Sequence, residues 1–289
     1  MKILIAYDGS HCAEAALEDL RRAGLPHAAE ALVMSVEESV PPLPPPGVLA
    51  VTDQTAFTAN LLNERFELVR AACQRLQQDF PEWKLPGEAA LGTPAASLLA
   101  KAEEWQADLI VAGSHGRSAL GRLILGSVSQ KMVTDAHCAV RVARGRNGDP
   151  RSSVRLVIGI DGSPGAEAAV SAVAARAWPT GSEVRVVAAV NEVVEEVIEY
   201  VDAVNHHGWS WLQDTLEAAE KTLLAAGLTV TPHLKKGDPA HVLVQEAEDW
   251  EADCIFVGAR SLSRLERFRL GSVSAAVTAR AHCSVEVVR

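Results

Sequence analysis

The sequence predicts two tandem α/β domains, each a doubly wound parallel sheet of five strands, and three observations carry that prediction. Whole segments recur at a nearly constant offset. Within each copy, short β-branched runs alternate with helical periodicity. The chain of 289 residues is also long for one small domain, and suits two of about 140, near the commonest domain size.

The repeat comes first because a missed duplication misreads everything after it. Ile5-Ala6-Tyr7-Asp8-Gly9-Ser10 returns as Ile158-Gly159-Ile160-Asp161-Gly162-Ser163, an offset of 161 − 8 = 153. Further on, Gly92-Thr93-Pro94 matches Gly237-Asp238-Pro239, an offset of 237 − 92 = 145, and Ala136-His137-Cys138 matches Ala281-His282-Cys283 at that same offset. The fall from 153 to 145 gives the first copy about eight extra residues, which the Pro-rich loop from Pro41 to Gly47 supplies. Arg144 to Pro150 is polar, carries Gly and Pro and lacks periodicity, so it reads as the linker, with domains over 1–147 and 152–289.

In the first copy the pattern predicts strands near 2–7, 31–36, 88–91, 108–113 and 138–143, and helices near 11–23, 58–79, 94–105 and 127–136. The helical stripe is clearest at Ala95, Leu98, Leu99 and Ala102, and recurs at Ala240, Leu243, Val244 and Ala247. Pro94 and Pro239 stand where a first helical turn needs no N–H. Strand–helix alternation of this kind implies right-handed crossovers with helices on both faces of the sheet.

Composition narrows the function classes. Lys and Arg number 27 against 37 Asp and Glu, a net charge of −10, so global attraction to a phosphate backbone is absent and nucleic acid is not the expected partner. Apolar residues make up 48% of the chain, yet no run reaches the roughly 18 residues of a membrane span, so no membrane association is expected. Met1 to Asp8 reads as a first strand and not a signal peptide. Five cysteines, odd in number and without C-x-x-C pairing, point to a reducing, cytoplasmic setting.

One loop carries the candidate chemistry. The fourth strand, Leu109 to Ala112, runs into Gly113-Ser114-His115-Gly116, then nine residues, then Gly126-Ser127 opening a helix. Ligands of open α/β sheets sit beyond the carboxyl ends of the strands at the switch point, where this loop falls. Gly113 and Gly116 are read as able to take positive φ and to bring N–H groups close to an anion. Gly126 and Ser127 offer free amides and a hydroxyl at a helix N-terminus, where the dipole favours phosphate. Asp8 ends the first strand and can accept hydrogen bonds from ribose, with N-capping as its alternative role. Val36, ending the second strand, can offer backbone groups and an apolar wall to a purine. His115 is read either as a phosphate contact or as an exposed loop residue.

These residues resemble the universal stress protein family, in its tandem-domain form, over nearly the whole chain and twice. The resemblance implies a Rossmann-like fold of the adenine nucleotide alpha hydrolase type, with the two copies packed as an intrachain pseudo-dimer and their last strands paired antiparallel. Two chains could also associate as a homodimer. It further implies that Asp8 and Val36 hold adenosine, that Gly113, Gly116, Gly126 and Ser127 hold the phosphates of ATP, with Mg²⁺ accompanying the nucleotide, and that Ser129 adds a hydroxyl. The second copy keeps Asp161, Val190, Gly258, Gly271 and Ser272, but has Ser261 for the second motif glycine and adds Arg260, Arg264, Arg267 and Arg269. Both outcomes, binding and loss of binding, stay open for it.

His137-Cys138 and His282-Cys283 are expected to pack in the core and not to form a metal site or disulfide, because antiparallel strands start at opposite ends. His206-His207-Gly208-Trp209-Ser210-Trp211 is read as a helix start with inward tryptophans, and Val193 to Val204 as an acidic amphipathic helix. Among functions, a nucleotide-binding regulatory module with an unidentified protein partner is preferred. The alternatives are an interaction scaffold that does not use the site and a slow ATPase; no P-loop, G-x-S-x-G or H-E-x-x-H motif occurs, so dedicated catalysis is not expected.

Overall fold

The computed structural model describes residues 1–38, 54–115, 125–145, 152–191, 210–259 and 270–289. The Pro-rich loop at Pro41 to Gly47, Gly116, Ser261 with Arg260, Arg264, Arg267 and Arg269, the run Val193 to Val204, and His206 to Trp209 lie outside the described residues.

Among the described residues of the first half five strands and four helices alternate: β1 Lys2–Ala6, α1 His11–Leu20, β2 Glu30–Glu37, α2 Gln54–Asp79, β3 Gly87–Leu91, α3 Pro94–Trp105, β4 Leu109–Gly113, α4 Ser127–Asp135 and β5 Ala139–Ala143. The second half follows with β6 Arg155–Ile160, α5 Pro164–Ala174, β7 Glu183–Val190, α6 Ser210–Ala225, β8 Thr229–Lys236, α7 Pro239–Asp249, β9 Cys254–Gly258, α8 Ser272–Arg280 and β10 Ser284–Val288. Local chemistry sets the helix starts. Ser10 and Ser163 cap α1 and α5 through hydroxyls that accept from Ala13 and Ala166, each at 3.2 Å. Pro94 and Pro239 open α3 and α7, as their position in the sequence anticipates.

The strand order is β3-β2-β1-β4-β5-β10-β9-β6-β7-β8. Every neighbouring pair is parallel except β5 with β10, so the two five-stranded sheets join edge to edge through the antiparallel pair the family resemblance implies. Alternate residues of β1 serve opposite faces. Leu4 joins a core that runs beneath α3, α4, α7 and α8 across both halves, while Ile3 and Ile5 join a core confined to the α1 and α2 side. The second half has its own core on that side, around Leu156, Val186 and Phe256.

Between those two separate cores, on the α1 and α5 side of the junction, the packing is ionic. Arg141 and Glu286 face each other directly across β5 and β10, 1% and 0% exposed at the side chain, with Nη1 3.2 Å from the carboxylate. Arg141 also holds Asp19 through Nε at 2.5 Å and Nη2 at 3.2 Å, and Arg176 takes the other oxygen of Glu286. Since 286 − 141 = 145, the two residues occupy equivalent places in the repeat and straddle the pseudo-twofold axis. Two copies of either half paired this way would set like charges against each other. Arg144 and Arg289, also 145 apart, complete the symmetry. Arg144 donates to the Thr278 carbonyl at 2.6 Å and Arg289 to that of Val133, each near the C-terminal end of the other half's last helix. Arg144, the first residue of the expected linker, therefore packs at the junction.

Candidate functional site

β1 pairs with β2 on one side and β4 on the other, so the sheet order turns at β1 and a crevice opens between the carboxyl ends of β1 and β4. Asp8 stands at the end of β1. Its Oδ1 accepts from the Ser10 amide at 2.9 Å, while Ser10 performs the capping, so the capping alternative for Asp8 falls away. Gly9 between them has φ +76°, the left-handed conformation that makes this Asp-Gly-Ser turn a glycine position. Asp161, Gly162 and Ser163 repeat the arrangement, with 3.0 Å from the Ser163 amide to Asp161 and φ +72° at Gly162.

At the end of β4 the structure alters the reading of three motif residues. Gly113 is not a positive-φ glycine; a Cβ there would lie 2.5 Å from the Cys12 carbonyl oxygen, so its lack of side chain lets the first turn of α1 press against the strand. A Cβ at Gly258 would likewise lie 2.3 Å from the Gly165 carbonyl carbon. Gly126 caps α4 with ordinary φ −65°, and its amide donates to the Ser114 carbonyl at 2.8 Å, so it is not a free phosphate donor. The hydroxyl of Ser129 is buried and donates to the Gly113 carbonyl at 2.6 Å, which makes it a brace and not an added ligand hydroxyl. Gly271 and Ser274 repeat both bonds in the second half, at 2.8 and 2.6 Å.

The donors that remain are the amides of Ser127, Val128 and Ser129. They precede the first intrahelical bond of α4, which runs from Gln130 to Gly126 at 2.8 Å, and no side chain caps them. Ser127 itself is exposed at the helix start, and Ser272 holds the same place on α8. Val36, 7% exposed, pairs with Ala90 two residues beyond the Met34 that pairs with Ala6, so it lies just past the end of β1 at the crevice margin. Val190 ends β7 in the corresponding way, buried and paired with Lys236. A cleft in the second half is lined by Asp161, Ser163, Val187, Ala189, Gly258, Gly271 and Ser274.

Behind the first loop lies a group that the sequence pattern did not bring together. His115 is buried, its Nδ1 3.1 Å from the Ser114 hydroxyl and its Nε2 without a hydrogen-bond partner among the described residues. That excludes the exposed-loop reading. Burial, and then the nearby Arg144 guanidinium, push the imidazole below its ordinary pKa, so it is neutral at pH 7. The Ser114 hydroxyl in turn lies 3.9 Å from the sulfur of Cys12 in the first turn of α1. Residues 102 apart meet here only because α1 crosses β4.

Cys138 and Cys283 are free and buried. Burial pushes their thiols up, to about 11 and about 12. Arg289, one residue past β10, donates to the Cys138 carbonyl at 2.9 Å, which places the two cysteines at opposite ends of the β5–β10 pair. Among the described residues no group of three His, Cys, Asp or Glu side chains is placed to hold a metal ion, and no helix is long and apolar enough to cross a membrane.

The topology defines a duplicated, doubly wound α/β protein with one switch point per half. The family model of the universal stress protein family matches residues 1–144 and again 154–289. A universal stress protein of Mycobacterium tuberculosis (strain H37Rv) is 30% identical over 303 aligned positions, covering 99% of this chain and 96% of its own. A shorter one from Thermus aquaticus is 39% identical over 147 residues, 49% of this chain and 97% of its own. The crystal structure of a universal stress protein from Archaeoglobus fulgidus superposes with a TM-score of 0.68 at 20% identity, over 100% of this chain and 98% of that one, a likeness of fold. The chain belongs to the universal stress protein family.

Proposed function

We propose that the first half binds an adenine nucleotide, ATP with its Mg²⁺, and that occupancy regulates how the protein meets a partner in a cytoplasmic stress response. The observation that carries this reading is the row of uncapped amides at Ser127, Val128 and Ser129, donors for a polyphosphate, with the carboxylate of Asp8 as an acceptor for ribose; their second-half counterparts, Asp161 and the start of α8 at Gly271 and Ser274, line one cleft. Asp8 spends one oxygen on its own turn and keeps the other for a ligand. The phosphates would sit on the α4 amides and the base against Val36; Mg²⁺ would travel with the nucleotide, held by phosphate oxygens and water.

Binding without dedicated turnover is the preferred form of this reading. His115 is neutral and turned into the protein, so it does not serve as a ready proton donor, and the carboxylate at the crevice is the one assigned to ribose. The second half is assigned the weaker site or a scaffold role, because Ser261 stands where the first half has the second motif glycine, Gly116.

The test is direct. The protein is purified, extracted for bound nucleotide and melted with and without Mg-ATP; ligand at about 100 times its Kd adds about 2.7 kcal/mol. Absence of both nucleotide and shift would assign the fold to a scaffold, and repeated turnover of phosphate release would assign it to an enzyme. Asp8→Ala should weaken binding while leaving the apo melting temperature in place.

A further inference from the structure

A groove between α5 and α6 adjoins the second half's cleft, sharing Ile160 and Ala166 with it, and takes no residue from the first half. It has a volume of ≈ 400 Å³, within the roughly 300–1,000 Å³ of small-molecule sites. Its floor is Ile160, Ala166, Val170 and Ala219, and its walls carry Glu167 and Asp214. Neither carboxylate has an ion-pair or hydrogen-bond partner among the described residues. Trp211, 40% exposed, stands at the Gly162 end, its ring 3.1 Å from where a Gly162 Cβ would be.

The duplicated chain supplies its own comparison. In α1 and β1 the offset of 153 sets Tyr7 against Ile160, Glu14 against Glu167 and Glu18 against Ser171. In α2 the fully buried Leu76 corresponds to the fully buried Leu223, an offset of 223 − 76 = 147, which sets Arg75 against Thr222 and Glu64 against Trp211. In the first half Arg75 donates to Glu14 and, at 2.8 Å, to Glu18, and the Tyr7 hydroxyl also donates to Glu14. A guanidinium on an aliphatic stem thus occupies the first half's version of this place. The second half keeps the receiving carboxylate as Glu167 and has neither the arginine nor the tyrosine hydroxyl that satisfied it. Glu64 has given way to an exposed indole, a surface that favours a cation further.

We propose that the α5–α6 groove binds a small organic cation, a guanidinium or alkylammonium head on an apolar body, with the head on Glu167 and Asp214 and the body on Val170 and Ala219. The ligand takes the part that Arg75 plays within the first half. This site is independent of the nucleotide reading, since none of its carboxylates faces the β1–β4 crevice of the first half.

The experiment titrates n-butylguanidinium into the full chain at low salt by calorimetry, with neutral n-butylurea as the isosteric control. One saturable site for the cation and none for the urea is expected. Glu167→Gln with Asp214→Asn, two exposed changes, should weaken it about tenfold or more. Thr222→Arg restores the internal guanidinium and should abolish binding, whereas Asp8→Ala should leave it unchanged. Equal binding of the urea, undiminished affinity in Thr222→Arg, or no saturable site would each overturn the proposal.

Discussion

Replacing Arg141 by Leu tests whether the junction between the halves rests on its buried charges. The side chain is 1% exposed and makes two bonds to Asp19 and one to Glu286. Without it Glu286 keeps both bonds from Arg176, but Asp19, 9% exposed, keeps among the described residues only the Ser284 hydroxyl at 2.6 Å and is left as an uncompensated buried charge. Breaking one side of a buried pair costs about 3–5 kcal/mol. At roughly 2–4 °C per kcal/mol for a chain of this order, the melting temperature should fall by about 6–20 °C. Calorimetry is the assay, because it also shows whether one transition becomes two as the halves uncouple. Lys131→Ala is the control: its pair with Asp135 is 54% and 40% exposed, and its loss should cost no more than about 0.5 kcal/mol. A change in Arg141→Leu as small as that of the control would refute the reasoning.

Gly113→Ala should destabilise by about 1–3 kcal/mol, measured by urea unfolding, because its Cβ would lie 2.5 Å from backbone and not from a flexible side chain. Ser129→Ala should cost about 1 kcal/mol by the same assay and leave Mg-ATP affinity largely intact, since the α4 amides stay in place. His115 has a folded pKa below its unfolded value, so the unfolded state binds more protons as pH falls. Its contribution is whole above pH 6.5 and is lost as pH falls through the folded pKa, and His115→Gln should flatten melting temperature against pH in that range. A thiol reagent at neutral pH should label Cys12 and Cys73 in the native protein, and reach buried Cys138, Cys254 and Cys283 only on unfolding. Early labelling of any of these three would contradict their burial.

The sequence alone determined what is local or repeated. Hydrophobic periodicity located the described strands and helices of the first half within a few residues, since a period of 2 or 3.6 states which face must be covered whatever the neighbour is. The helix starts at Gly126-Ser127 and Gly271-Ser272 were legible for the same reason: each is set by bonds a few residues long. Tertiary structure decided whatever depends on groups far apart in the chain. Only the packed sheet showed that Gly113 is small to admit Cys12, that the Gly126 amide and Ser129 hydroxyl are spent on the strand, and that His115 is buried. Arg141 and Glu286 read as ordinary strand charges until β5 and β10 are paired; a charge's cost and partner are set by burial, and burial is a property of the assembled sheet.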